Sequence, residues 1–358
     1  MRTSSSISRS SAEPLLVLAL AAILSAAFSW HAKRHWQVES AFFSEAIRAS
    51  ERYAETLRAD GQNPFIVFGG STSRTSWIPS VLREEFGVPV VNFGLHAGFG
   101  PRVIAELAMR EAKPGDTVVV AFEPAILARD ETATPTSGVD LFLHEEGLSF
   151  RCGRFFQLVP AHFVQYLQGN TRYNLFMLMK RLRGMKPYRY VASENLHDDG
   201  WMEVLERRPL TFDPAPRTVR PIRLGAAGRD LLLSIRAECE RRGCRAVYAL
   251  PPRLDGNPNA PAAHSSLILD ILPILPVVRD PLLGCNPNPD EFADTPQHPI
   301  RPGALRATRS LGAALAGNDF WDVVSLKTGR APPGDEATPP KALPHPLVPI
   351  SLPKPVRP

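Results

Sequence analysis

The chain is poor in lysine and in cysteine, and these shortages narrow the classes of function open to it. Only seven of its 41 basic residues are lysines, and a formal net charge of +5 is mild for 358 residues. The excess is local, with 13 Lys/Arg against 6 Asp/Glu in residues 151–223. No aromatic-interleaved basic motif accompanies it, so nucleic acid is not an expected partner. A solvated basic face, or one meeting anionic glycan or lipid headgroups, accounts for the charge. The four cysteines, Cys152, Cys239, Cys244 and Cys285, have neither C-x-x-C spacing nor zinc spacing with histidine, so no metal is expected. Cys239 and Cys244 flank a helix-to-strand turn at Gly243; buried thiols and, in an oxidising compartment, a local disulfide both fit there. There are no internal repeats.

One uncharged run stands out, the 17 residues Pro14 to Trp30, after a Ser/Arg-rich start over residues 1–13. It fits a short membrane span with Trp30 as interfacial anchor, or a signal peptide cut after Ser25 and Ala27. The expectation adopted is a transmembrane signal-anchor over residues 1–36. Its orientation is open, because Arg2 and Arg9 on one side face Lys33 and Arg34 on the other. Ten of the 36 prolines fall in the last 28 residues, so 331–358 reads as a disordered or extended tail. Residues 37–330 are left for one domain, large enough to bury a sizeable core.

That domain is organised around Pro64-Phe65-Ile66-Val67-Phe68-Gly69-Gly70-Ser71-Thr72-Ser73-Arg74. An apolar, β-branched and aromatic run stops at two glycines and a serine, and helical character follows over about 75–86. The order is strand, sharp turn, helix start. Further strands are expected at 88–92, 117–122, 246–250 and 277–279, and helices at 37–59, 101–112, 226–242 and 302–316. Apolar strands alternating with helices predict a mostly parallel sheet in a three-layer α/β/α arrangement. The residues between about 125 and 223 read as a helical insertion over the sheet edge. In such folds the site lies at the carboxyl ends of the strands, where Ser71, Gly94 to Gly98 and Glu123 gather.

The turn at Gly69-Gly70-Ser71 suits a nucleophile or a phosphate cradle. It lacks the P-loop Gly-Lys-Ser/Thr ending, and no Gly-x-Gly-x-x-Gly follows the first strand. Asp294-Thr295-Pro296-Gln297-His298 puts an aspartate shortly before a histidine on one loop. The carboxylate can accept the imidazole Nδ1–H and leave Nε2 as a base toward a serine. Asn92-Phe93-Gly94-Leu95-His96-Ala97-Gly98 follows the second strand, and its glycines let a backbone N–H point into the site as an oxyanion donor. His96 reads as structural.

Together these stretches resemble the SGNH (GDSL-like) hydrolase superfamily. Its first block is matched by Gly69-Gly70-Ser71, and its Asn-x-Gly-x-x-Gly turn by Asn92, Gly94 and Gly98. For its Asp-x-x-His block stand Asp294 and His298, one residue further apart. The resemblance covers about residues 62–124 and 226–317 and implies a flavodoxin-like sheet. It makes Ser71 the nucleophile, His298 the general base, Asp294 its orienting partner, and the Ser71 and Gly98 N–H groups the oxyanion donors. It implies acyl transfer through an acyl-serine, without metal or organic cofactor. Gly70, Asn92, Gly94 and Glu123 would line the site. Two departures stand out. Gly70 replaces the usual acidic residue before the serine. Phe122-Glu123-Pro124 stands where the family carries an asparagine donor, and a carboxylate facing an oxyanion repels it.

With the expected anchor, the resemblance points to an acyl esterase or O-acyltransferase of an exported polysaccharide or envelope glycan. The protein would sit in the cell inner membrane with its domain outside, alongside an integral-membrane acyl-donor protein. The alternative is a catalytically impaired glycan-binding or assembly factor on the same scaffold, motivated by Glu123 and the basic insertion.

Overall fold

The structure is a computed structural model that describes residues 9–36, 38–131, 135–146, 153–162, 178–179, 182–184, 195–205, 210 and 218–321. Phe163–Leu167, most of Tyr173–Met185, Cys152 and the Pro-rich tail lie outside them.

The strands are β1 (Phe65–Gly69), β2 (Val90–Asn92), β3 (Thr117–Ala121), β4 (Arg245–Tyr248), β5 (Arg253–Leu254), β6 (Val277–Val278), β7 (Cys285–Asn286) and β8 (Phe320–Trp321). Six of them form one sheet in the order β2-β1-β3-β4-β6-β8. Neighbours are parallel except β6 and β8 at the edge. The first five positions follow the flavodoxin-type doubly wound order, with a reversal between β1 and β3. β5 and β7 make a separate two-stranded ladder. Register aligns Val67, Val119 and Val247 across the sheet. They meet Trp77, Leu82, Leu311, Ala314 and Leu315 in a core where each fully buried valine contributes about 1.5–3 kcal/mol.

Helices flank the sheet: α2 (Val38–Ala59), α3 (Ser71–Ser76), α4 (Pro79–Phe86), α5 (Pro101–Met109), α6 (Pro124–Leu127), α7 (Thr136–Glu146), α8 (Ala226–Arg242), α9 (Ala260–Ile271) and α10 (Arg301–Gly317); α1 (Arg9–Trp36) precedes them with most of its apolar residues exposed. The fold is therefore the expected mixed α/β, three-layer arrangement. The helix expected over 75–86 is broken at Trp77 and Ile78, both extended. Pro79 disfavours a helical residue before it, and it opens α4 at a position that needs no N–H. Cys239, Cys244 and Cys285 are free thiols, the first and last buried.

The membrane expectation fails. Among the described residues no helix is long and apolar enough to cross a membrane. α1 contains the apolar run, but that run has 17 residues diluted by five alanines and two serines, where a span needs about 20 predominantly apolar residues. The signal-anchor, the single-pass inner-membrane location and the outward-facing domain are withdrawn with it.

Candidate active site

β1 ends at Gly69, the chain turns at Gly70, and Ser71 is the first residue of α3. His298 comes from the other end of the sequence. Its loop is closed by an antiparallel bridge between Phe292 and Pro299 and by the Ala293 N–H on the His298 carbonyl at 2.8 Å. Within that loop His298 Nδ1 lies 3.0 Å from Asp294 Oδ1, and His298 Nε2 lies 2.9 Å from Ser71 Oγ. Three side chains, 227 residues apart at the extremes, thus form one continuous hydrogen-bonded chain. Three residues separate Asp294 from His298 instead of two, and the closed loop still brings the carboxylate onto the ring.

Asn92 and Gly94 are brought to the same place and hold it from behind. The fully buried Asn92 amide donates to the carbonyls of Ser73 (2.9 Å) and Trp77 (2.9 Å), while its oxygen accepts the Gly94 N–H at 2.9 Å. It ties down the carboxyl end of the helix that starts with Ser71. At Gly94 a Cβ would lie 2.5 Å from the Arg74 N, so only glycine lets the two turns pass this closely.

Gly98 lies in a 3-10 turn, Ala97–Phe99, and donates its N–H to His96 Nδ1 at 3.0 Å. The donor that the resemblance assigns to an oxyanion is engaged by its own loop. Glu123, 6% exposed, is turned onto α3, where Oε1 accepts the Thr72 N–H at 3.3 Å. A groove of about 490 Å³, open to solvent, runs between Phe99 and Val103 on one side and Ile126, Leu127 and Leu231 on the other. It adjoins the loops that carry Gly98 and Glu123, and Ser71 and His298 are not part of its wall.

Arg74 is the least expected residue here. It lies three positions after Ser71 and is fully buried, and its Nη1 donates to the carbonyls of Asn92 (2.8 Å) and Gly200. Burial pushes its pKa down to about 9, with Asp199 opposing the shift. Among the described residues its Nε and Nη2 have no partner.

The insertion also reaches the site. Residues 195–205, expected as part of a helical lid, are an irregular segment seated on α3 and α10. Trp201 donates its indole N–H to the Thr75 carbonyl at 3.0 Å and packs with Ile78 and Ala304. The Arg301 guanidinium lies 5.8 Å from the Trp201 ring centroid and 3.4 Å from Glu203. Thr308 of α10 accepts the Ile78 N–H at 3.0 Å. The helix of the serine and the helix behind the histidine are thereby fastened to each other. Nothing in the composition of 195–205 announced this, because the partner of the Trp201 indole is a backbone carbonyl.

No family model, curated protein or solved structure matches this chain.

Proposed function

We propose that the protein is an SGNH-type serine acyl esterase or O-acyltransferase that works through an acyl-serine. The observation that supports this most is the unbroken chain from Ser71 Oγ through His298 to Asp294, at 2.9 and 3.0 Å. Ser71 Oγ adds to an ester carbonyl while its proton passes to His298 Nε2. Asp294 holds Nδ1–H and stabilises the imidazolium that forms. Collapse of the tetrahedral adduct expels the alcohol, which leaves with the proton from His298. Water or an acceptor hydroxyl then repeats the addition, and the proton returns to Ser71. The Ser71 N–H serves the oxyanion, joined by the Gly98 N–H once it leaves His96. An O-acylated glycan is the substrate class that the resemblance offers; with no membrane-crossing helix among the described residues, no compartment is assigned to it.

One observation favours the second reading, a glycan-binding or assembly factor without turnover: the Gly98 N–H is already bonded to His96. A serine-directed fluorophosphonate followed by peptide mass spectrometry separates the two. The expected result is a single adduct on Ser71, abolished by Ser71→Ala. Folded protein that gives no adduct on Ser71 overturns the catalytic reading.

A further inference from the structure

We infer that Glu123 is a positioning residue for Ser71, and that Gly70 is the gap in the side-chain packing that admits it; the inference rests on Ser71 being the nucleophile. Glu123 is the residue before α6, with Pro124 following, yet its side chain makes no cap for that helix. It crosses the switch point between β3 and β1 and accepts the Thr72 N–H of α3 instead. α3 has no side-chain cap of its own, since the residue before Ser71 is Gly70. The missing cap therefore arrives from the end of another strand.

A Cβ on residue 70 would lie 2.6 Å from the Glu123 carboxyl carbon and nearer still to both its oxygens. No side chain fits at 70 while the carboxylate occupies that space. The two departures from the SGNH pattern are thus one exchange, in which the acid beside the serine comes from the turn after β3 rather than from the residue before it. Among the described residues Oε2 of Glu123 is buried without a partner. Leaving a carboxylate oxygen unpaired in a buried place is costly, and in this protein the cost is borne one residue from the nucleophile. The consequence for Ser71 is geometric. With Thr72 held by Glu123 and the Ser73, Arg74 and Trp77 carbonyls met by Asn92, α3 is fixed at both ends and Ser71 Oγ stays within reach of His298.

The test is a double-mutant cycle read by the second-order rate of fluorophosphonate labelling at Ser71, with amide exchange of the 70–76 peptide measured in parallel. Glu123→Ala is expected to slow labelling about tenfold and to speed exchange at Thr72, whereas Glu123→Gln, which keeps an acceptor, stays near the wild-type rate. Gly70→Ala is expected to slow labelling to a similar extent by displacing the carboxylate. Gly70→Ala combined with Glu123→Ala should be no slower than Glu123→Ala alone, because the overlap is gone. Additive losses in the double variant, or wild-type labelling in Glu123→Ala, overturn the inference. If Glu123→Ala does not fold, the comparison of Gly70→Ala with Glu123→Gln decides: Gly70→Ala labelling as fast as wild type rejects it. Wild-type protein that is not labelled at Ser71 rejects the serine reading itself, a result distinct from any of these.

Discussion

Gly98 gives its amide hydrogen to the ring of His96, 3.0 Å away, inside the turn that follows β2. The same ring rests against Phe43 and Phe99. On the proposed mechanism, the donor that the oxyanion needs is therefore in competition with an internal acceptor. Replacing His96 with phenylalanine keeps an aromatic ring against both neighbours and removes the acceptor. His96→Phe is expected to raise the rate of phosphonate labelling at Ser71 by a few fold, less than the roughly hundredfold attributed to a whole oxyanion donor. A slower rate in a protein with unchanged melting temperature would mean that Gly98 does not serve the oxyanion.

In the proposed mechanism Asp294 acts only through His298, whose Nδ1 it meets at 3.0 Å. Asp294→Asn keeps the shape of the loop but offers an amide to Nδ1, so the ring loses its fixed tautomer. Turnover of a simple ester should fall by about 10³–10⁴-fold with KM little changed. The measurement is steady-state hydrolysis of an aryl ester, and a loss carried by KM alone contradicts the role.

Asn92 is expected to matter for stability and reactivity together. Asn92→Ala removes the bonds to the Ser73 and Trp77 carbonyls and leaves them buried, a loss of about 2–4 kcal/mol. Urea denaturation gives the stability change, and labelling at low temperature, where the variant stays folded, gives the reactivity. Trp201→Phe probes the same helix from the insertion, through the bond to the Thr75 carbonyl. Its expected cost is about 1 kcal/mol, with a slower labelling rate. An unaltered rate would leave 195–205 as packing only.

One pH effect lies far from the serine. Glu238 on α8 is nearly inaccessible to solvent and meets Arg241 at 2.9 Å, Arg242 at 2.6 Å and Arg154 of the insertion at 2.7 Å. Hydrogen bonds from Arg241, then Arg242, hold its pKa down at about 2 from an ordinary 4.5, against the effect of burial. A carboxylate depressed on folding stabilises the native state above the unfolded pKa and loses that contribution as pH falls through the folded one. Glu238→Gln should therefore melt below the wild type at pH 7, with the gap closing between about pH 4.5 and pH 2. A gap that is constant across that range would refute the ion-pair account.

Sequence alone determined the five parallel strands β1, β2, β3, β4 and β6 and most of the helices between them, because period and length are local properties; β5, β7, β8 and α9 were not expected. Unalternated apolar runs such as Ile66–Phe68 and Val118–Val120 are written into short windows, as is the turn that puts Ser71 at the start of α3. Asp294 and His298 were legible for the same reason, being two residue types on one loop. Local reading also misled: the apolar run in α1 drew a membrane span that its length and alanine content do not support. It also ran the expected helix over 75–86 through Trp77 and Ile78, where Pro79 separates α3 from α4.

Only the tertiary structure decided what the remaining residues do, since their partners are distant backbone groups that no spacing encodes. Asn92 is an expected site residue, and its part there is to tie down the Ser73 and Trp77 carbonyls. Arg74 and Trp201 fasten the same helix to segments more than a hundred residues away. Gly70 and Glu123, 53 positions apart, were read as two separate departures. Contact across the switch point between β1 and β3 makes them a single one: the carboxylate occupies the space that a side chain before the serine would fill.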